Sequence, residues 1–566
     1  MSSVERLASH GLVFNHAFSN APVCSVARST IISGCYAPRV GAQYHRRIKK
    51  VNLPGNLEMF PYYLQKAGYY TTNNSKEDYN IHKGDSVWHE SSRKATYRNR
   101  PAGSPFFHVQ NFGVTHEGQL HFPESDMQEK PTLTDPESIK IFPYHPSTPI
   151  SKYTYARLYD HHLKLDSLLN QFLDQLEADG LLENTFIFYY GDHGGVLPRS
   201  KGYVYESGLH VPMVVYVPQK YQHLVPAKNG TKLEGFVSFI DLAPTVLSLA
   251  GLDIPEEMDG RPFLGEGIST TDLESRQIAF GYADRFDEKY DLVRTIRKGG
   301  LKYMRSYQPF NIDALHNFYR YKMKMFAEWR SLYQNGSLDS VQSQFFSPRS
   351  AESLYDLIND PHEVNNLADD PAYAPQLLEL RQHLQQQVKG MPDLSFYPEP
   401  YFLDHGIQNP VVFGQERKVE IGELIDIADL ALQPFDQVRN YILENLDSDN
   451  PWKRYWALIT CTTFGKDATD FFEKAKDIAK NDVENLVRMR ALEFLSLQGV
   501  SVDSKLFLDV LHRSNSMAEA NLLLNSLALL KEINPAFSLP GIDQAIPKLL
   551  IEEEQSLVPH RLAYLK

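Results

Sequence analysis

The chain has 566 residues, enough for two or three domains with cores of their own. Its 57 basic and 70 acidic residues leave a formal charge of −13, which argues against general binding to nucleic acid or to an anionic membrane, since both need a basic surface. Three cysteines cannot make a disulfide framework, and no run of 18 apolar residues offers a membrane span.

Residues 3–10 place Val4, Leu7 and Ala8 on one helical face, and a strand over Leu12–Phe14 follows Gly11. The first residues lack the apolar core of a signal peptide. The stretch Ala21–Gly34 then sets Cys24 just after a proline, Arg28 four residues on, and small hydroxyl residues before a glycine. That is the pattern of a reactive side chain opening a helix whose free N–H groups can help hold an anion. Read alone, it also suits an ordinary buried cysteine. Arg46, Arg47, Lys49 and Lys50 form the most basic run, readable as a solvated loop or as a contact for an anionic substrate.

Further along, residues 56–67 predict a helix and Tyr69–Thr72 a strand that runs into Asn73–Asn80. Phe106–Phe112 reads as a buried strand delivering Gly113-Val114-Thr115-His116, and residues 153–179 keep helical spacing up to Gly180. The strand Thr185–Tyr190 empties into Gly191-Asp192-His193-Gly194-Gly195, and Val211–Val217 predicts another strand before a helix opened by Asp241 and Pro244. Strand–loop–helix alternation predicts an α/β open sheet, whose sites lie beyond the C-terminal ends of strands. Residues 276–305 are strand-rich, Pro392, Pro398, Pro400 and Pro410 suggest a linker, and residues 419–555 show helical periodicity in short pairs, as in a HEAT-type solenoid or a plain helical bundle. The expected divisions are a catalytic domain over 1–265, a smaller α+β subdomain over 266–397, a linker over 398–418 and an all-α region over 419–566.

Cys24-x-x-x-Arg28 followed by Ser29-Thr30-Ile31-Ile32-Ser33-Gly34 resembles the signature of the type I sulfatases, which have an alkaline-phosphatase-like fold. The resemblance extends to Asp192-His193-Gly194, similar to the family's S-D-H-G, and to Lys201-Gly-Tyr-Val-Tyr-Glu-Ser-Gly208, similar to K-x-x-x-Y-E-G-G. His116 matches the histidine of a T-P-H motif. Lys76 matches the lysine of G-K-W-H, with Asp78 where the histidine would stand and His82 as its substitute. Glu352-Ser-Leu-Tyr-Asp-Leu357 and Asp360–Leu367 resemble the family's C-terminal ending.

What the resemblance implies is a sulfuric ester hydrolase acting on a sulfated sugar or glycan. In the family a maturase oxidises the cysteine, here Cys24, to formylglycine; its hydrated form attacks sulfur, the alcohol leaves, and the second hydroxyl expels sulfate. Arg28 would hold that hydroxyl, Lys201 and Lys76 the sulfate, and His116 would bind substrate and protonate the leaving oxygen. Cys24, Asp192 and His193 would be ligands to Ca²⁺ or Mg²⁺. The sequence departs from the family at Val26, where Pro or Ala is preferred, and in lacking a first strand ending in two aspartates. That second departure predicts a hydrophobic slot in the sheet and weak metal binding, as from a truncated gene model whose longer, active form would be periplasmic or secreted. Alternatives are a phosphoester or phosphonate hydrolase of the same superfamily, or an inactive sulfatase-like binding protein using its helical repeats for protein contact.

Overall fold

The longer strands of the α/β body form where apolar runs predict them, while the short strands Glu90–Ser91, Lys232–Leu233 and Val237–Ser238 carry no such signal. In the computed structural model, which describes residues 1–566, Gly11–Phe18 pairs antiparallel with His210–Tyr216 and parallel with the short Lys232–Leu233 and Val237–Ser238. Ile187–Tyr190 adds antiparallel to the far edge of His210–Tyr216. The alternation along Gly11–Phe18 sends Leu12 and Phe14 to one face, where Ala27 and Leu242 cover them, and Val13 to the other, against Leu7, Leu169 and Leu173. Helices therefore cover both faces: Cys24–Ser33 and Leu242–Leu249 on one, Ser2–Ser9 and Pro149–Ala178 on the other. Asp166 pins the helix Ser2–Ser9 in place by accepting from the Ser3 backbone N–H at 2.9 Å.

A second parallel set, Glu90–Ser91, Tyr70–Asn74 and Phe106–Gln110, does not join the first. Phe106–Gln110 pairs only with Tyr70–Asn74, and Ile187–Tyr190 only with His210–Tyr216, so each leaves one edge unpaired. Both of these strands line a cavity of about 1830 Å³, walled by Phe106, Phe107, Phe188 and Tyr189, with Leu169 and Phe172 from one helical layer and Ile31 and Val246 from the other. The slot expected from the sequence is present, and it opens at one end onto Arg28, Lys76, His116, Asp192 and His193.

Beyond the α/β body, Ile278–Ala283, Val293–Lys298, Leu301–Ser306 and Glu352–Asp356 form an antiparallel sheet. The predicted helix over 56–67 shortens to Pro61–Lys66, because Pro61 sets its first turn. The stretch 398–418, expected as a linker, forms the helices Glu399–His405 and Pro410–Glu416 instead. Pro398 precedes the first of these helices as its N-cap, and Pro400 and Pro410 sit in first turns, where a missing N–H costs nothing, so the prolines start helices rather than break them. Successive helical pairs follow, such as Phe435–Leu446 with Pro451–Phe464 and Phe472–Asn481 with Asn485–Leu497. No helix is long and apolar enough to cross a membrane.

One continuous hydrophobic core runs from Ala21 to Leu565, so the helical region shares its interior with the rest. Buried ion pairs cross the same boundary. Arg285 bonds Glu399 at 2.7 Å and Arg305 bonds Asp429 at 3.0 Å. Removing one partner of such a pair leaves a charge stranded away from water. Glu399→Ala is expected to destabilise the protein by about 3 kcal/mol, read as a lowered denaturant midpoint; an unchanged midpoint would show that the pair is energetically idle.

Candidate active site

Cys24 is the first residue of the helix Cys24–Ser33, preceded by an extended Val23 at φ −153°, ψ 143°. No side chain caps that end, so the first N–H groups of the helix stay free for an anion. The helix is almost entirely buried, which its hydroxyl residues permit by bonding back onto their own backbone: Ser29 Oγ donates to Ser25 O at 2.6 Å and Ser33 Oγ to Ser29 O at 2.7 Å. Gly34 ends the helix at φ +65°, where a Cβ would also press on Met258. Val26, the departure noted in the sequence, is a core residue, 2% exposed.

Around Cys24 the loops at the strand ends converge. Its Sγ lies 3.5 Å from His193 Nε2. Arg28, one turn along the helix, donates through Nε to Asp192 Oδ2 at 2.8 Å and through Nη1 to the Lys76 carbonyl at 3.2 Å. Lys76 Nζ reaches the same carboxylate oxygen at 3.3 Å. The Asp192-His193-Gly194 turn folds this tightly because Gly194 has no Cβ, which would stand 2.5 Å from Ser207 O. His82 is exposed and apart from this cluster; the site histidines are His116 and His193.

The hydrogen bonds orient both rings. His193 Nδ1 donates to Gly194 O at 2.9 Å, which turns Nε2 toward Cys24 Sγ. His116 Nδ1 accepts from Gly118 N–H at 3.1 Å, which puts its proton on Nε2 and makes it a donor toward the Cys24 sulfur.

Burial by itself would push the Cys24 thiol up. The Lys201 ammonium, with His193 and the hydrogen bond from His116, overcomes burial and holds the thiol well below its ordinary range. Burial would likewise raise Asp192; Arg28, His193 and Lys76 hold it well below the usual carboxylate range. Burial disfavours the charged Lys201, but the negative Cys24 and Glu117 raise its pKa.

Three contributors went unread in the sequence. Glu117 is wholly buried and pairs with Lys201 Nζ at 3.1 Å. His45 Nδ1 meets Ser25 Oγ at 2.8 Å, one residue from the nucleophile position. Arg320 donates to the Lys201 carbonyl. Glu117 stood beside His116 in the sequence, but a carboxylate next to a candidate histidine carries no mark of burial. His45 adjoins the basic run that begins at Arg46, and nothing in that run marks the histidine before it as buried.

Cys24, Asp192 and His193 hold their ligand atoms within 4.8 Å of one another. That grouping suits one side of a cation's shell. A hard divalent ion asks for six or more oxygen ligands, and here a single carboxylate is offered, with Arg28 and Lys76 already on one of its oxygens. The three residues do not make a complete site for such an ion.

A family profile described as "Sulfatase" matches residues 1–252, and one described as "N-sulphoglucosamine sulphohydrolase, C-terminal" matches residues 191–345. The chain is 35% identical over 443 residues to an ulvan-active sulfatase of Formosa agariphila, covering 71% of this chain and 73% of that protein. This chain belongs to the sulfatase family. The sulfatase is also 23% identical over 428 residues to human N-sulphoglucosamine sulphohydrolase, covering 67% and 82% of the two chains. Its activity is hydrolysis of sulfuric esters, and the family generally uses a metal ion and formylglycine.

In the unoxidised, metal-free sulfatase, Cys24 is expected to ionise at lower pH than the other two thiols. Burial pushes Cys35 up to about 12 and raises Cys461 as well. Lys201→Met should move the Cys24 ionisation to higher pH in a thiolate-absorbance titration. An unmoved titration would mean that Lys201 does not face the sulfur electrostatically.

Proposed function

We propose that this sulfatase releases inorganic sulfate from a sulfated carbohydrate, with Cys24 as the precursor of its nucleophile. The observation that carries the reading is the position of Cys24 at an uncapped helix start, inside a ring of Lys201, His193, His116 and Arg28. When Cys24 is converted to formylglycine, the hydrated side chain supplies the nucleophilic oxygen. The names of the matching relatives, which include N-acetylglucosamine-6-sulfatases, favour a sugar substrate.

Sulfuryl transfer needs positive charge on the sulfuryl oxygens and a proton for the departing alcohol. Lys201, Lys76 and the free N–H groups at the helix start meet the first need. Glu117 keeps Lys201 charged and fixes the direction of its ammonium. Arg28 balances Asp192 and steadies the nucleophile. His116, with its proton on Nε2, serves as the general acid toward the leaving oxygen.

The metal of the active form, Ca²⁺ or Mg²⁺ in this reading, needs ligands beyond Asp192, His193 and the residue-24 side chain. A strand laid in the slot and ending in carboxylates would supply them, because the slot opens onto Asp192. An N-terminal extension of alternating apolar residues ending in two aspartates is therefore expected to tighten Ca²⁺ or Mg²⁺ binding in calorimetric titration. No gain in affinity would sink this part of the reading.

Mass spectrometry of the peptide containing Cys24, from protein co-expressed with a maturase, tests the nucleophile: loss of the thiol in favour of an aldehyde is expected, and a persistent thiol counts against it. His116→Ala should lower kcat for a sugar sulfate by about 10²- to 10⁴-fold. It should cost much less with an aryl sulfate, whose leaving group needs little protonation. Equal losses on the two substrates would remove His116 from the role of acid.

A further inference from the structure

On one flank of the pocket mouth, five cations crowd around two carboxylates. Arg46 Nη1 bonds Asp78 Oδ1 at 3.1 Å, Lys76 Nζ lies 3.8 Å from Asp78 Oδ2, and Lys83 bonds Glu77 at 2.7 Å. Arg47 and Lys50 belong to the same cluster, and neither has a carboxylate within 4.0 Å. Both are half-buried, and burial together with the neighbouring Arg46, Arg47 and Lys83 charges makes their positive forms harder to hold. Five cations against Asp78 and Glu77 leave an excess of positive charge in a fixed place, in a chain carrying a net −13.

The flank is built rather than loose. Arg46 and Asp78 are both non-glycine residues in the left-handed region, at φ +55° and +54°, and they are bonded to each other. Arg285, itself buried against Glu399, donates to the carbonyls of His45 at 2.9 Å and Arg46 at 3.2 Å. Arg46, Lys76 and Asp78 line the same cavity wall as Arg28 and His116. The cations thus continue outward from the sulfate pocket along a single surface, beginning at Lys76.

We propose that Arg47 and Lys50, at the outer end of this flank, form a subsite for a second anionic group on the same saccharide. That group is a neighbouring sulfate or a uronate carboxylate, so the preferred substrate is a polyanionic oligosaccharide rather than a singly sulfated sugar. This rests on the sulfated-carbohydrate reading above. A bound anion would relieve the repulsion among Arg46, Arg47 and Lys50, and the Arg47 guanidinium can meet either oxyanion through two parallel N–H groups.

The test compares the wild type with Arg47→Ala/Lys50→Ala. Three probes are titrated calorimetrically at low and high salt: a neutral monosulfated disaccharide, a disulfated disaccharide, and a monosulfated disaccharide bearing a uronate. The double variant is expected to bind one or both of the dianionic probes about tenfold more weakly at low salt, with the neutral monosulfated probe unchanged; which dianionic probe responds identifies the second anion. Equal changes on all three probes, no change on any, or no binding of any overturns the subsite. Sulfate release is measured separately on the matured wild type. Failure to release sulfate from any of the saccharides overturns the carbohydrate reading, while the binding comparison still decides the subsite.

Discussion

The contact on which the rest of the site depends is the one between Arg28 and Asp192. It joins the nucleophile helix to the end of the strand Ile187–Tyr190, and through Lys76 it draws in the loop after Tyr70–Asn74. Three chain segments that are distant in sequence are thereby fixed around one carboxylate. The charges decide why it must be so. An ionised Cys24 beside an ionised Asp192 is a repulsive pair in a poorly solvated place, and each raises the other's pKa unless cations intervene. Arg28 and Lys76 answer Asp192, and Lys201 answers Cys24. Buried pairs of this kind add little to stability compared with apolar packing, yet losing one partner is costly. They are better understood as holding a geometry than as holding the fold.

Lys201 is itself held from behind, and this gives the C-terminal region a part in the site. Glu117 pairs with its ammonium, and Arg320 bonds its carbonyl. The loop carrying Tyr319 and Arg320 is clamped by the last helix, Val558–Leu565. His316 stacks on Tyr564 and Phe318 on His560, each with ring centroids 4.1 Å apart, while Arg561 donates to the carbonyls of Glu288 and His316. On the other side, Glu399 at the start of the helical region holds Arg285, which holds the backbone of His45 and Arg46, and His45 meets Ser25 beside the nucleophile. The helical region therefore sets the position of two walls of the pocket, whatever else its outer surface does.

Much of the site was legible in the sequence because its parts are local. Cys24 to Arg28 is one helical turn, and Asp192 to Gly194 is one tight turn after an apolar strand. His116 and Lys201 also lie in short segments that keep their spacing. Glu117 was not legible, because what distinguishes it is a partner 84 positions away in the chain. The segment 398–418 misled for a different reason: proline reads as a break only until its place in the helical turn is known, and at the first turn it is a start signal. The division of the central sheet could be anticipated only by comparison with a family pattern, since nothing within either edge strand marks it as pairing on one side alone.

That division has a directional consequence. The strand Phe106–Gln110 leads into His116, and Ile187–Tyr190 leads into Asp192 and His193, so both unpaired edges run toward the same end of the slot. Unpaired edges flanked by aromatic and aliphatic walls are a template for adding a strand. A strand parallel to both would satisfy the two edges together and bring its C-terminal end beside Arg28 and Lys76. Those cations now share one carboxylate oxygen of Asp192. Acidic residues delivered there would take up part of that positive charge and release Asp192 to face His193 and residue 24. The same insertion that completes the sheet would change the site from a carboxylate clamped by two cations into a group of oxygens able to hold a third. With such a strand in place, fold completion and metal binding would be one event.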